Sequence, residues 1–447
     1  MRYTSSIAAA ALAVASFSAM ANSDRHVDVI VSLNDGGPAS EAAANRAEAS
    51  NFAAGFGVQP AHVYGAALTG FAASVPEARL EALRDHPRVN SVTINGRVTT
   101  MQGNCPHCGG NGGDDDNGDD GEQTTPWGIE RVGADGNNNT GDGISVYILD
   151  TGIDASHDDL ADNLGNGYAV ETCEEGGGGP GGGPFAGGSN DECLADWDDD
   201  QGHGTHVAGT VGAIDNDIDV VGVAPDVTLH SVKVLDSGGG GSFAGIIDGI
   251  DWVAEQVQAS GQPAIANMSL GGGGSKSGEC TDSGFSGDDA MHEAICNAKN
   301  VGVVFVVAAG NDGADAAGSV PAAYDDAVIT VSATSEGDDW TSWSNWGDDS
   351  AGWTSNVSAP VAIAAPGAAI ESTALGGGTE SLSGTSMAAP HVAGGAALLL
   401  RSNPQSADAS AFHNIRSGLL NTAEDTGSFS NTSGNPHDED FLDASGL

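Results

Sequence analysis

The chain has 447 residues, enough for a large core and, by length alone, about three domains, although α/β units of about 250 residues often fold as one. Residues up to Met101 hold eight acidic side chains and seven arginines, so the formal net charge of −49 belongs almost wholly to the later chain, where 54 acids face six bases. Lys233, Lys276 and Lys299 are its only lysines; nucleic acid and anionic membranes are repelled, and such an acid excess suits either high-salt surroundings or plain solubility.

The opening "MRYTSSIAAAALAVASFSAMA" has an early arginine, an apolar run from Ile7 to about Phe17 and small residues at Ala19 and Ala21. Residues 1–21 read as a secretory signal peptide. The run falls far short of the ~20 residues a membrane span needs, and no later stretch reaches that length, so no membrane anchor is expected. Next, "VDVIVSL" (Val27 to Leu33) predicts a strand, Ser40 to Phe56 a helix, "AHVYGAALTGFAASV" two strands, "PEARLEALRDHP" a helix and "VNSVTINGRV" one strand. This is a small β-α-β-β-α-β unit of ferredoxin-like α+β type, over residues 22–101. The Gly- and Asp-rich tract of residues 102–122 breaks all periodicity and reads as a linker.

From Gln123 to Leu447, strand-like runs such as "ISVYILD", "TLHSVKVL", "AIANMSL" and "VGVVFVVAAGN" alternate with helix-like ones such as "FAGIIDGIDWVAEQV" and "MAAPHVAGGAALLLR". Continuous Val/Ile runs between helices predict an α/β domain, a mostly parallel sheet with helices on both faces. Chemistry gathers where such strands end, and Asp150, Ser269 and Asn311 each end one.

Six cysteines behind a signal peptide predict disulfides. The local pairs Cys173 with Cys193 and Cys280 with Cys296 would each close a Gly- and Asp-rich loop. Cys105 and Cys108 form "CPHC", a spacing used by redox and zinc sites. Without a strand-to-helix setting around it, a structural disulfide or a dispensable linker is the better reading.

In "GTSMAAPHVAG", Ser386 stands among small residues at the start of a helix, where a substrate backbone can approach and the positive helix end points at it. A base is offered by "GHGTHVAGTVGA", which carries His203 and His206, three apart; a metal pair is the alternative, but no third ligand has an obvious claim. Asp150 in "DTGID" is a candidate orienting acid, with a helix cap or a calcium ligand as its plain readings.

"DTGID", "GHGTHVAGT" and "GTSMAAPHVAG", in that order, resemble the three motifs of the subtilisin-like serine proteases, the subtilases. The resemblance covers residues 123–447 and implies a subtilisin-like catalytic domain that hydrolyses peptide bonds in proteins. It implies that Asp150 orients His203, that His203 takes the proton of Ser386, and that Ser386 attacks the carbonyl. Asn311, with the backbone N–H of Ser386, would bind the oxyanion. His206 and His391 are implied to have no chemical role.

By the same resemblance, Ser269, Leu270 and Gly271 on one side, and Ala309 and Gly310 on the other, line a roomy uncharged pocket for a large apolar or aromatic residue before the cut bond. Gly239, Gly240 and Gly241 would pair with an extended peptide as an added strand, and Phe243, Ile246 and Leu270 would form a second apolar pocket. The loop "AIDNDIDVVGVAP" resembles the family's calcium loop. The implied ligands are the carbonyls of Ile214, Ile218 and Val220 and the side chains of Asn216, Asp159 and Gln123, six oxygens in all, a number that suits structural calcium.

Residues 22–101 resemble the family's inhibitory and chaperoning propeptide by pattern, with cleavage near Met101 or just before Gln123. Expected partners are protein or peptide substrates and the chain's own propeptide, in a secreted monomer. Two insertions depart from the short bacterial members: "ETCEEGGGGPGGGPFAGGSNDEC" and "GGSKSGECTDSGFSGDD". Each carries one of the predicted local disulfides and would shape outer substrate subsites. A binding protein that has lost turnover and a thiol-disulfide enzyme using Cys105 and Cys108 are the competing readings.

Overall fold

In β1 (His26–Leu33) alternate residues point to opposite faces, and both faces are buried. Val29 and Val31 join Phe52 of α1 (Ala42–Gly55) and Leu80 and Leu83 of α2 (Glu77–Arg84) in one apolar cluster. Ile30 faces the other way, into a cluster shared with the rest of the chain. With β2 (His62–Tyr64), β3 (Gly70–Pro76) and β4 (Val89–Ile94) it forms an antiparallel sheet of order β2-β3-β1-β4.

This is a computed structural model describing residues 25–34, 39–101, 123–170, 197–347, 360–432 and 434–447. The expected signal peptide, the linker with Cys105 and Cys108, and the Cys173 and Cys193 pair lie outside them.

The single strand expected over "VNSVTINGRV" is two. The chain turns at Asn95 and Gly96, and β5 (Arg97–Thr100) leaves the N-terminal sheet for the larger domain. Asn95 Oδ1 accepts the amide of Ala244, capping a helix of that domain, and the Phe243 ring sits where a side chain on Gly96 would stand. Asn-Gly followed by a further β-rich run gives no local sign of the change of sheet.

The larger sheet has the order β17-β16-β14-β10-β6-β8-β7, with β18 also on β16. Its strands are β6 (Ser145–Asp150), β7 (Tyr168–Ala169), β8 (Thr228–Lys233), β10 (Ala264–Met268), β14 (Val303–Ala308), β16 (Val328–Ser335), β17 (Asp339–Trp340) and β18 (Val361–Pro366). All pairs are parallel except β16 with β17. The "VVFVVA" run of β14 is buried on both faces, as a covered parallel sheet requires. Val304, Val306 and Ala308 meet the cluster containing α4 (His203–Gly212) and α7 (Thr385–Ser402). Val303, Phe305 and Val307 meet the one containing α5 (Phe243–Ser260) and α6 (Ala290–Asn300). The expected α/β architecture, with an α+β unit ahead of it, is therefore present.

The N-terminal sheet docks on α5. Asp251, fully buried at mid-helix, accepts the successive amides of Gly65, Ala66 and Ala67 at 3.0, 2.7 and 2.7 Å and pairs with Arg46. Three backbone donors around one carboxylate form an anion cup, so a single acid fixes the loop between β2 and β3. Tyr64 adds a hydroxyl bond to the Ala244 carbonyl.

Candidate active site

Asp150 ends β6, His203 begins α4 and Ser386 stands in the first turn of α7. His203 Nδ1 lies 2.7 Å from Asp150 Oδ1, with both side chains fully buried. The two elements approach this closely because of glycine. A Cβ on Gly204 would stand 2.1 Å from the Gly152 carbonyl and 3.1 Å from Asp150 Cβ, and Gly202, at φ 107°, turns the chain into α4 where a side chain would be strained. Asp199 then ties the helix start, accepting from the Gly202 and Thr205 amides and the Thr205 hydroxyl.

Ser386 Oγ donates to the Ser269 carbonyl at 3.0 Å, and His203 Nε2 has no hydrogen-bond partner among the described residues. Pro390, inside α7, has no N–H to give the carbonyl four residues back, and the Ser269 hydroxyl donates to that Ser386 carbonyl instead, at 2.8 Å. Ser269 thus grips the serine at two points.

The Asn311 amide is oriented by its own carbonyl oxygen. Oδ1 accepts the Thr385 amide at 2.9 Å and the Thr385 hydroxyl at 3.0 Å, and the hydroxyl accepts the Gly310 amide at 3.0 Å. Nδ2 is left to face outward, where it donates to the Met101 carbonyl. Asn345 braces this loop through the Ala309 carbonyl and the Asp312 and Ala314 amides.

The chain's own β5 fills the groove beside these groups. It lies antiparallel between β9 (Gly240–Ser242) and β11 (Leu270–Gly273), with Val98 opposite Gly241, Thr99 opposite both Gly240 and Gly271, and Thr100 opposite Leu270. The Thr100 amide donates to the Gly239 carbonyl at 3.0 Å and the Met101 amide to Ser269 at 3.1 Å. A Cβ on Gly271 would stand 2.3 Å from Met101 Cε, so the methionine side chain lies over bare backbone. Val98 is 1% exposed and shares a cluster with Ile246 and Leu270, while Phe243 lies against Gly96.

The other two motif histidines are buried and neutral. Burial pushes His206 down to about 3, with Nε2 on the Ile370 carbonyl, and His391 to about 4, with Nδ1 on the Met387 carbonyl. Their bonds go to the protein frame, away from Ser386.

The calcium-like residues gather where α4 runs into its following loop. Gln123 Nε2 reaches the carbonyls of Ile214 and Val220 at 2.6 and 2.8 Å, and Asn216 Nδ2 reaches Asp159 Oδ1 at 2.9 Å. Burial raises the Asp159 carboxyl to about 6, against bonds from Val220 and Asn216. The Ile218 amide donates to Asn216 Oδ1.

Sequence reasoning named Asp150, His203, Ser386, Asn311, Ser269 and the Gly239 to Gly241 edge; the structure gathers Ser386, Asn311, Ser269 and that glycine edge around Thr100 and Met101 and pairs Asp150 with His203. It missed Thr385, Asp199 and Asn345. The acids of "WDDDQGHG" just before the histidine helix were a signal for Asp199, whereas Thr385 and Asn345 act across 74 and 33 residues of chain without a local mark. Cys280 and Cys296 are joined, tying β12 (Glu279–Thr281) to α6.

A profile of the subtilase family matches residues 141–439, and one of peptidase inhibitor I9 matches residues 29–101. The extracellular serine proteinase of Thermus sp. (strain Rt41A) is 37% identical over 352 residues, covering 76% of this chain and 68% of that protein. The alkaline serine exoprotease A of Vibrio alginolyticus is 35% identical over 78% of this chain, which spans 54% of that relative's length. The crystal structure of a cold adapted subtilisin-like serine proteinase matches with a TM-score of 0.53 at 34% identity, covering 71% of this chain and 97% of that one.

Proposed function

The chain belongs to the subtilase family, and from that premise we propose that it is a secreted serine endopeptidase whose nucleophile is Ser386, made as a precursor inhibited by its own residues 22–101. The observation that carries this reading is Met101. Its carbonyl takes the Asn311 amide while the residues before it pair with β9 and β11, the arrangement a substrate needs at the moment of attack. Residues 102–122 then form the linker and residues 123–447 the catalytic domain.

In the reaction, His203 Nε2 accepts the Ser386 proton as Oγ attacks the carbonyl carbon, and Asp150 holds the opposite N–H and stabilises the imidazolium. This requires the Ser386 hydroxyl to swing from the Ser269 carbonyl to His203. Negative charge gathers on the former carbonyl oxygen, where Asn311 and the Ser386 amide donate to it. The proton passes to the leaving amine, which departs, and water repeats the sequence in reverse to free the acid.

The pocket floor of Gly271 and the methionine above it support a preference for a large apolar residue before the cut, and buried Val98 supports an apolar residue three positions earlier. Secretion is supported by the extracellular naming of the Thermus relative and by the signal-peptide pattern of residues 1–21. A fluorophosphonate probe is the direct test: it should label Ser386 stoichiometrically and abolish casein digestion. Labelling elsewhere, or digestion that survives labelling, defeats the reading.

The loop fits calcium. The carbonyls of Ile214 and Val220 and the buried Asp159 carboxylate, short of a counter-charge, already face the Gln123 and Asn216 amides; with those amides turned to present oxygen, and with the Ile218 carbonyl, they would supply the hard oxygen ligands calcium takes. Bound there, the ion would cross-link residue 123, just after the linker, to the loop after α4. A ligand held only by the folded state stabilises it by ~4 kcal/mol at a thousandfold excess over its dissociation constant. Chelation should therefore shorten the half-life of activity at elevated temperature, and Asp159→Ala should reproduce the loss in excess calcium. Equal half-lives with chelator and with calcium would remove the site.

A further inference from the structure

Strand β11 has two edges: one pairs with Thr99 and Thr100, the other with β15 (Ser319–Val320). The chain runs on from each strand, and a mostly buried carboxylate rejoins the two paths, with its neighbour Asp325 beside it on Lys276. Asp326, in the turn after β15, accepts from Lys276 Nζ at 2.9 Å, from the Cys280 amide at 2.8 Å and from His292 Nε2 at 2.8 Å. Lys276 and Cys280 belong to the insertion that continues β11, and His292 stands on α6. Its other nitrogen, Nδ1, meets the Ser277 carbonyl of the same insertion at 3.2 Å.

Both partners of this ring are acceptors. A neutral imidazole has one N–H, so both bonds are made together only by the imidazolium. The His292 side chain is fully buried, its ring lies flat on Tyr324 at 4.3 Å, and the Phe285 ring meets it edge-on. The titratable groups packed around it are Asp326, Asp325, Asp289, Lys276 and Tyr324, with Lys276 also on Asp325 at 2.7 Å and the Tyr324 hydroxyl on Asp289. Burial opposes ionisation of Asp326, but the bond and charge of His292, then the Cys280 amide and Lys276, outweigh it and hold the carboxyl at about 2. One helical turn along α6, Cys296 bonds Cys280, so the same helix face holds the insertion by a covalent link and by a charge.

We propose that His292 is a positioning residue: as a buried imidazolium bonded to Ser277 and Asp326 at once, it closes the insertion against the β15 turn and holds β11 straight for an extended substrate. The proposal rests on the reading of β11 as a substrate-pairing strand. Because Gly271 pairs with the third residue before the cut, only peptides reaching that far feel the clamp.

The test compares wild-type mature enzyme with His292→Gln, which keeps one donor but no charge, on a four-residue peptide anilide and on a single-residue ester. For the longer substrate KM should rise on the order of tenfold, the effect of losing one hydrogen bond to a charged group, with kcat unchanged. The ester should be hydrolysed equally by both. In the full-length Ser386→Ala precursor labelled with ¹⁵N-histidine, one ring should show two protonated nitrogens, and those signals should vanish when His292→Gln is added. Equal KM values, or only neutral rings, overturn the proposal. If His292→Gln does not fold, Asp326→Asn, which keeps the shape and removes the counter-charge, takes its place in both comparisons. A wild type that cleaves neither substrate defeats the protease reading alone and leaves the nitrogen spectra to decide the clamp.

Discussion

Ser386→Ala, secreted from a host lacking other proteases, should accumulate as a folded precursor that still carries residues from about Asn22 onward, while wild type appears shortened to a new N-terminus after Met101. The substitution removes one oxygen from a fully buried side chain and leaves the packing of α7 intact, so folding should survive. Chemistry should not: in subtilisin, loss of the serine lowers kcat by about 2 × 10⁶. The Met101 carbonyl would remain on Asn311 with its bond to residue 102 uncut. N-terminal sequencing and mass of the secreted product measure this. Maturation of the variant to the wild-type N-terminus would show that cleavage is carried out by another molecule's protease; casein digestion by the variant would remove Ser386 from the mechanism.

Asn311→Ala should lower kcat by roughly 10² to 10³, the ~2.7 to 4 kcal/mol found for the corresponding donor in subtilisin, while KM for a peptide anilide barely changes. The asymmetry follows from where the charge develops. In the proposed mechanism most ground-state binding comes from strand pairing of the kind β5 makes with β9 and β11, and the bond from Asn311 to the still uncharged carbonyl strengthens as the oxyanion forms in the transition state. Thr385→Val should show a smaller fall of the same kind, because its hydroxyl bonds the amide oxygen of Asn311 and so sets which way Nδ2 points. A rise in KM with kcat intact for Asn311→Ala would move this residue from charge stabilisation to substrate binding.

What the sequence determined by itself were features with a local cause. A β-rich run ending in Asp-Thr-Gly, a histidine in a glycine-lined helix start and a serine among small residues each carry their chemistry within about ten positions, and their order names the family. The α/β class was legible for a similar reason: Val/Ile runs such as "VVFVVA" stay apolar at every position only when both sheet faces are covered. The cysteines closing one insertion, Cys280 and Cys296, were near enough in the chain to be paired on sight.

Tertiary structure alone decided the arrangements in which one side chain's orientation depends on a distant one. "VNSVTINGRV" reads as one strand because nothing in it shows that Phe243 and Ala244 wait beyond Gly96, and only that encounter sends β5 into the cleft. Asn311 is recognisable as a donor, but its amide points outward because Thr385 occupies its oxygen across 74 residues. Asp251 looks like an ordinary helix acid until Gly65, Ala66 and Ala67 close around it. Residue type limits what a group can do, and periodicity says which face it occupies. Which acceptor meets which donor is fixed by the packing of helices onto the two sheets, and that geometry is a property of the whole chain.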